Sequence, residues 1–152
     1  MDASHRFHRF IDTDRRVIVF RPIGPLAPET FVDEVFAALG ELAAPWTYNR
    51  LFDLRRWDER LRPETVKAMA GRWAALTEGQ IFHARIAVVS FDPTVTIRVP
   101  AATGHFPDEI ICHFTDYHEA MDWLLSIDPA GYLIEARQHA PNRAIDGRIV
   151  IE

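Results

Sequence analysis

The stretch from Ile110 to Ser126, Ile-Ile-Cys-His-Phe-Thr-Asp-Tyr-His-Glu-Ala-Met-Asp-Trp-Leu-Leu-Ser, leaves this chain few ways to fold. Its first residues read as a short buried strand that stops abruptly. Asp116 then stands at a helix N-cap, and Glu119 three residues later completes a capping box. Tyr117, Ala120, Met121, Leu124 and Leu125 recur at i, i+3, i+4, i+7 and i+8, one face of a 3.6-residue repeat. An amphipathic helix placed directly after a strand has to lay that face on a sheet.

The segment Arg85 to Ser90 carries Ile-Ala-Val-Val, a continuous apolar run expected of a strand covered on both faces. Upstream, His5 to Ile11 and Arg16 to Ile23 are two extended segments with Asp12, Thr13 and Asp14 as a turn, which predicts a hairpin. The doublet His-Arg-Phe-His-Arg-Phe has period three and fits no strand face, so its first residues are expected to fray. Pro28 and Glu29 open a helix whose stripe is Phe31, Val32, Val35, Phe36 and Leu39, ended at the latest by Pro45. Tyr48 to Leu54 is a third strand. Pro63 starts a second helix with Val66, Met69, Ala70, Trp73 and Leu76 on one side and Gly79 as its C-cap.

Residues 94–105 are ambiguous between helix and strand. Asp92 and Pro93 look like an N-cap and first helical residue, yet Thr94 to Val99 is rich in β-branched residues that prefer strands. A crossover between parallel neighbours has to occupy this stretch, and one or two irregular helical turns are expected. The order β-β-α-β-α-β-(α)-β-α predicts an α/β domain: a mixed sheet of about five strands with an N-terminal hairpin and about four helices. One domain over residues 1–126 is expected, with 127–152 as a C-terminal extension packed on that domain or on a dimer partner. Its Gly147 to Glu152 would be a terminal strand.

With 152 residues the chain can bury a real core. A net charge of −5, with acidic residues interleaved among the arginines, argues against a nucleic-acid partner. Cys112 is the only cysteine, so no intramolecular disulfide forms, which favours a reducing compartment. The N-terminus lacks a signal-like apolar run, and no segment approaches the roughly 20 apolar residues of a membrane span. A cytoplasmic protein is the expectation.

Four segments carry a family resemblance: Arg21-Pro-Ile-Gly-Pro-Leu, Leu51-Phe-Asp-Leu-Arg, Ile86-Ala-Val-Val-Ser-Phe-Asp-Pro and Phe114-Thr-Asp-Tyr-His-Glu-Ala-Met-Asp-Trp-Leu. Together with the element order, over Val17 to Leu125, they resemble the SpoIIAA-like (STAS) superfamily of small α/β domains. All four are packing and capping signals. Family members that act as anti-sigma-factor antagonists carry a phosphorylatable serine in an Asp-Ser-x-Gly turn, which would follow Asp53. Here Asp53 is followed by Leu-Arg-Arg-Trp, and Thr65, inside the second helix, is the only nearby hydroxyl. The resemblance thus implies a small member without the phosphorylation switch, similar to uncharacterised binding or regulatory modules, some of them grouped with the CRAL-TRIO lipid-binding domains.

Ligands of open α/β sheets favour the crevice at the C-terminal strand ends. Those ends supply Asp53, Arg55, Arg56, Ser90, Asp92 and Thr94, the candidate ligand or interaction site. Asp53 and Asp92 on adjacent strand tips could hold a cation or share a proton, and Arg55 and Arg56 could clamp an anion. Capping accounts equally well for Asp92 and loop hydrogen bonding for Asp53. His105, Cys112, His113 and His118 form a second cluster. Cys112 and His113 are strand neighbours pointing to opposite faces, so they do not share a metal, and a strand-buried thiol is inert. No catalytic residue, metal site or cofactor is expected.

The aromatic rings Phe31, Phe36, Trp73, Phe82, Phe91, Phe106, Tyr117 and Trp123 could line a slot for an apolar ligand, or simply fill the core. Trp46 and Trp57, in polar loops, would mark a contact surface if exposed. The leading expectation is a non-enzymatic binding or regulatory domain acting through contacts with a protein partner, with a homodimer in view. A carrier or sensor of an apolar, lipid-like small molecule comes second, and an Asp-dependent hydrolase third. An apolar pocket of roughly 300 Å³ or more would favour the carrier.

Overall fold

The structure is a computed structural model that describes residues 6–126. His5 and the whole 127–152 extension, with its expected terminal strand, lie outside the described residues. Five strands form one sheet in the order β1 (Arg6–Asp12), β2 (Val17–Ile23), β3 (Asn49–Asp53), β4 (Ala84–Val89) and β5 (Glu109–Phe114). β1 pairs antiparallel with β2, and the remaining pairs are parallel. Four helices, α1 (Pro28–Gly40), α2 (Pro63–Leu76), α3 (Val95–Thr103) and α4 (Tyr117–Leu125), complete the expected α/β architecture. Among the described residues no helix is long and apolar enough to cross a membrane.

Helices cover the sheet on both sides, which explains why β3 and β4 are buried along their whole length. One face sends Ile18, Phe20, Phe52, Ile86, Val88 and Ile111 into a core shared with α1, α2 and α3. The other sends Val17, Val19, Leu51, Ala87 and Val89 under α4, where Ala120 and Leu124 are fully buried. The α4 stripe is thus placed as its spacing requires. Asp116 accepts from the Glu119 amide at 2.9 Å, the forward half of the capping box.

Three local expectations are corrected. The first residues of β1 do not fray: Arg6 pairs with Ile23, and the strand stays in register to Asp12 opposite Val17. Phe7 holds it down, its ring 6.1 Å from Phe20 and 6.0 Å from Phe31, while Phe10, on the other face, is exposed. Strand alternation overrides the period of three by leaving one ring of the doublet in solvent.

Residues 95–103 form one nine-residue α-helix with Pro100 inside it, longer than the one or two irregular turns expected. The helix begins at Val95, beyond the expected Asp92–Pro93 start. At helical spacing Val95, Val99 and Ala102 reach the core, whereas Ile97, their companion in a strand pattern, is 76% exposed. Connecting the parallel strands β4 and β5 and covering the sheet between them outweigh a propensity cost of up to about 0.7 kcal/mol per ordinary residue and about 3 kcal/mol for Pro100. The second helix likewise ends at Leu76, before Gly79. Thr77 closes it by donating its hydroxyl to Trp73 O at 2.8 Å, and Gly79 takes the left-handed turn that follows, at φ 80°.

Asn49 ties the α4 layer to the sheet. Fully buried, it donates from Nδ2 to Leu124 O at 2.9 Å and accepts at Oδ1 from the Arg85 amide at 2.9 Å. It thereby anchors the last turn of α4 and extends the β3–β4 ladder by one bond. Asn49→Ala strands a buried carbonyl and a buried amide, so a loss of about 2–6 kcal/mol is expected, at about 1–3 kcal/mol per orphaned group. Urea unfolding reads this as a lower midpoint at unchanged slope; an unchanged midpoint would remove Asn49 from this role.

Candidate functional site

Between the sheet and the α1–α2–α3 layer lies a cavity of about 340 Å³. Its floor is Phe52, Ile86, Val88 and Ile111, and its walls include Phe36 from α1, Met69 and Trp73 from α2, and Val99 from α3. The inner end lies where β3 begins, at Arg50. The opposite end reaches the C-terminal strand tips at Arg55, Ser90 and Asp92. Of the aromatic residues expected to line a slot, Phe36, Trp73, Phe91 and Phe106 do so. Phe31 and Phe82 are packed into the surrounding core, and Tyr117 and Trp123 lie on the α4 side.

The loop at the outer end is set by Gly24. At φ 75°, a conformation that favours glycine, it donates its amide to Arg56 O at 2.9 Å and accepts from the Asp58 amide at 3.0 Å. This fastens residues 56–58 beside the end of β2. Trp57 is folded inward, donating Nε1 to Leu26 O at 2.8 Å with its ring 4.9 Å from Phe31. Trp57 is thus buried and Trp46 is packed against the core, so the condition for a contact surface at these two rings is not met. A polar loop sequence hides this because the indole finds its acceptor on a different loop.

The inner end holds a charge pair that the sequence reading missed. Arg50 projects from the floor, 3% exposed, and its Nη2 donates to Oε2 of the buried Glu109 two strands away. Ala84, beside Glu109 in the register, adds little bulk to the gap that the arginine spans. The guanidinium carbon lies 3.9 Å from the centroid of the Trp73 ring, a cation–π contact. Arg50 Nη1, Trp73 Nε1 and Glu109 Oε1 are buried without a hydrogen-bond partner among the described residues. Each such group costs about 1–3 kcal/mol if nothing completes it. Burial pushes the Glu109 carboxyl above its ordinary value of 4.5, against the pull of Arg50. The folded state therefore holds that proton more readily than the unfolded chain, and this contribution to stability declines as pH rises above 4.5.

At the strand tips the candidate residues divide. Asp53 faces the α4 side, in register with Val89. Burial opposes its ionisation, but hydrogen bonds from Arg55 and Arg21 outweigh that and hold the carboxyl below its ordinary 3.8. Arg55 grips it with two bonds of 2.8 Å, Nε to Oδ1 and Nη2 to Oδ2, and Arg21 adds one of 2.9 Å. Both arginines also sit 5.6 Å from the Tyr117 ring centroid. Asp92 accepts from the amide and hydroxyl of Thr94 at 2.9 and 2.7 Å, which lowers its pKa. Asp53 and Asp92 thus have separate partners and share none. Ser90 accepts at its hydroxyl from the Asp92 amide at 3.0 Å, and Arg56 is exposed.

The second cluster does not converge. His113 joins Thr96 Oγ1 at 3.1 Å and Ser90 O at 3.0 Å, whereas burial raises the pKa of the Cys112 thiol. His105 and His118 are exposed, and no group of residues able to hold a metal occurs among the described residues.

No family model matches the sequence, and no curated protein matches it. Among solved structures, the chain is similar to an uncharacterised protein of the DUF3478 family with a SpoIIAA-like fold from Shewanella loihica PV-4. The TM-score is 0.52 at 18% identity, over 80% of this chain and 94% of that one. The chain has the SpoIIAA-like fold.

The Asp53 cluster sets an acid response. The folded carboxyl is more acidic than the unfolded one, so its stabilisation is present above pH 3.8 and lost as pH falls through the folded value. Asp53→Asn is expected to lower stability at pH 7 by about 1–3 kcal/mol and to lessen the further loss on acidification below pH 3.8. Urea unfolding at pH 7 and pH 3 measures both; equal acid sensitivity in the two proteins would contradict this assignment.

Proposed function

We propose that this chain is a non-enzymatic binding domain that carries or senses an apolar, lipid-like small molecule in the cavity beneath α1, α2 and α3. The observation that carries this reading is the cavity itself: about 340 Å³ with mainly apolar walls, opening at the strand ends where α/β sheets take ligands. Scaling from a 150 Å³ cavity that accommodates benzene, this space suits a molecule of roughly a dozen heavy atoms. Arg55, Ser90 and Asp92 are polar groups at its outer end, and Asp58, Glu59, Arg60 and Arg98 also line the cavity. Asp53 positions Arg55, and Thr94 positions Asp92. With both oxygens of Asp53 held by arginines, the hydrolase reading has no free carboxylate there.

Contacts with a protein partner are the second reading, favoured by one feature. Phe91, which lines the outer end, is 66% exposed, and Ile97 on α3 is more exposed still. An apolar rim of this kind suits a partner that reads whether the cavity is filled.

Solvent extraction of purified protein followed by mass spectrometry is expected to recover an apolar compound of that size. Ala102→Phe, which puts a ring into the cavity from α3, is expected to weaken its rebinding at least about tenfold, because the ring takes space that the ligand needs. Its thermal midpoint should stay close to that of the parent. Recovery of nothing, together with failure to bind any apolar probe in calorimetry, would sink the carrier reading.

A further inference from the structure

The inner end of the cavity also has a chemistry of its own. Arg50 and Trp73 line it, are 2% and 5% exposed, and each keeps one buried N–H without a partner among the described residues. Both groups are donors only: a guanidinium has five N–H bonds and no acceptor, and an indole has one N–H. Native proteins seldom leave such donors unmet. The complementary acceptor, Glu109 Oε1, is also unmet, but Glu109 does not line the cavity.

From this we infer that the ligand enters head first, placing a carbonyl or carboxyl oxygen at the Arg50–Trp73 end and its apolar body along Phe52 and Val88 toward Ser90. The inference rests on the carrier reading and adds a head group and an orientation to it. The selection follows from charge and donor count. An oxygen acceptor completes the unmet donors, whereas an ammonium brings more donors and a repulsive charge beside Arg50. A bare hydrocarbon leaves the N–H groups as they are. Length is consistent. Arg50 pairs with Ile86, four residues before Ser90, so the path along the strand is about 13 Å at 3.3 Å per residue.

The test uses the full chain, freed of bound material, with four probes: decanoate, 2-undecanone, decylammonium and dodecane. Calorimetry is expected to show decanoate, or decanoate and the ketone alike, binding at least about tenfold more tightly than decylammonium, the scale of one hydrogen bond to a charged donor. Preference for decanoate alone identifies an anionic head, and equal binding of the ketone a neutral carbonyl. Carboxyl-labelled decanoate then reports orientation by carbon-13 resonance. A head at Arg50 gives a signal that does not titrate like the free acid and is unaffected by Arg55→Gln. Trp73→Phe keeps the ring and removes the N–H, and is expected to weaken decanoate several-fold while leaving dodecane unchanged. Tight binding without head-group preference, or a carboxyl signal that titrates freely and shifts in Arg55→Gln, would overturn the inference alone. Failure of all four probes to bind would overturn the carrier reading and the inference with it.

Discussion

β3 is the central strand of a sheet covered on both sides, and three of its five residues, Asn49, Arg50 and Asp53, are polar or charged. No polar group in that position reaches water, so each has to find its partner inside the protein. Asn49 takes its partners from α4 and β4, Arg50 from β5 and α2, and Asp53 from β2 and the loop that follows β3. These bonds reach most of the surrounding elements. The apolar residues Leu51 and Phe52 drive burial. The polar ones decide which neighbours are acceptable, because an alternative packing would leave a buried charge alone.

The fold was largely legible in the sequence because its signals were local. Asp116 and Glu119, the Ile-Ala-Val-Val run and the prolines at 28 and 63 each act within a few residues, and the structure places each as those signals require. The failures have a common cause. The helical turns expected at 94–105 run longer, as the helix Val95–Thr103, because of what lies beneath them, and Trp57 is buried because Leu26 supplies an acceptor from another loop. Neither fact is visible in a window of ten residues.

The cavity was half legible. Four of its rings could be named, and its lining reaches the strand ends at Ser90 and Asp92. The Arg50–Glu109 pair was missed although a signal was present. Arg50 sits between Asn49 and Leu51 in a strand that has to be buried on both faces, and a charge there demands a partner. The partner is 59 residues away, and sequence spacing does not say which carboxylate it is.

The two sides of the sheet differ in what covers them. Beneath α4, the small residues Ala87 and Ala120 are fully buried in one cluster with Leu51 and Leu124. Beneath α1, α2 and α3, a hollow is framed by side chains from three helices and a loop, none of which belongs to the Asn49 or Asp53 bonding sets except Arg55. Changes at Val66, Met69 or Phe106 can therefore reshape the hollow while the bonds of β3 stay intact. Foldability and selectivity are written in largely separate residues, so lineages of this architecture are free to diverge in what fits the hollow long before they diverge in how they fold.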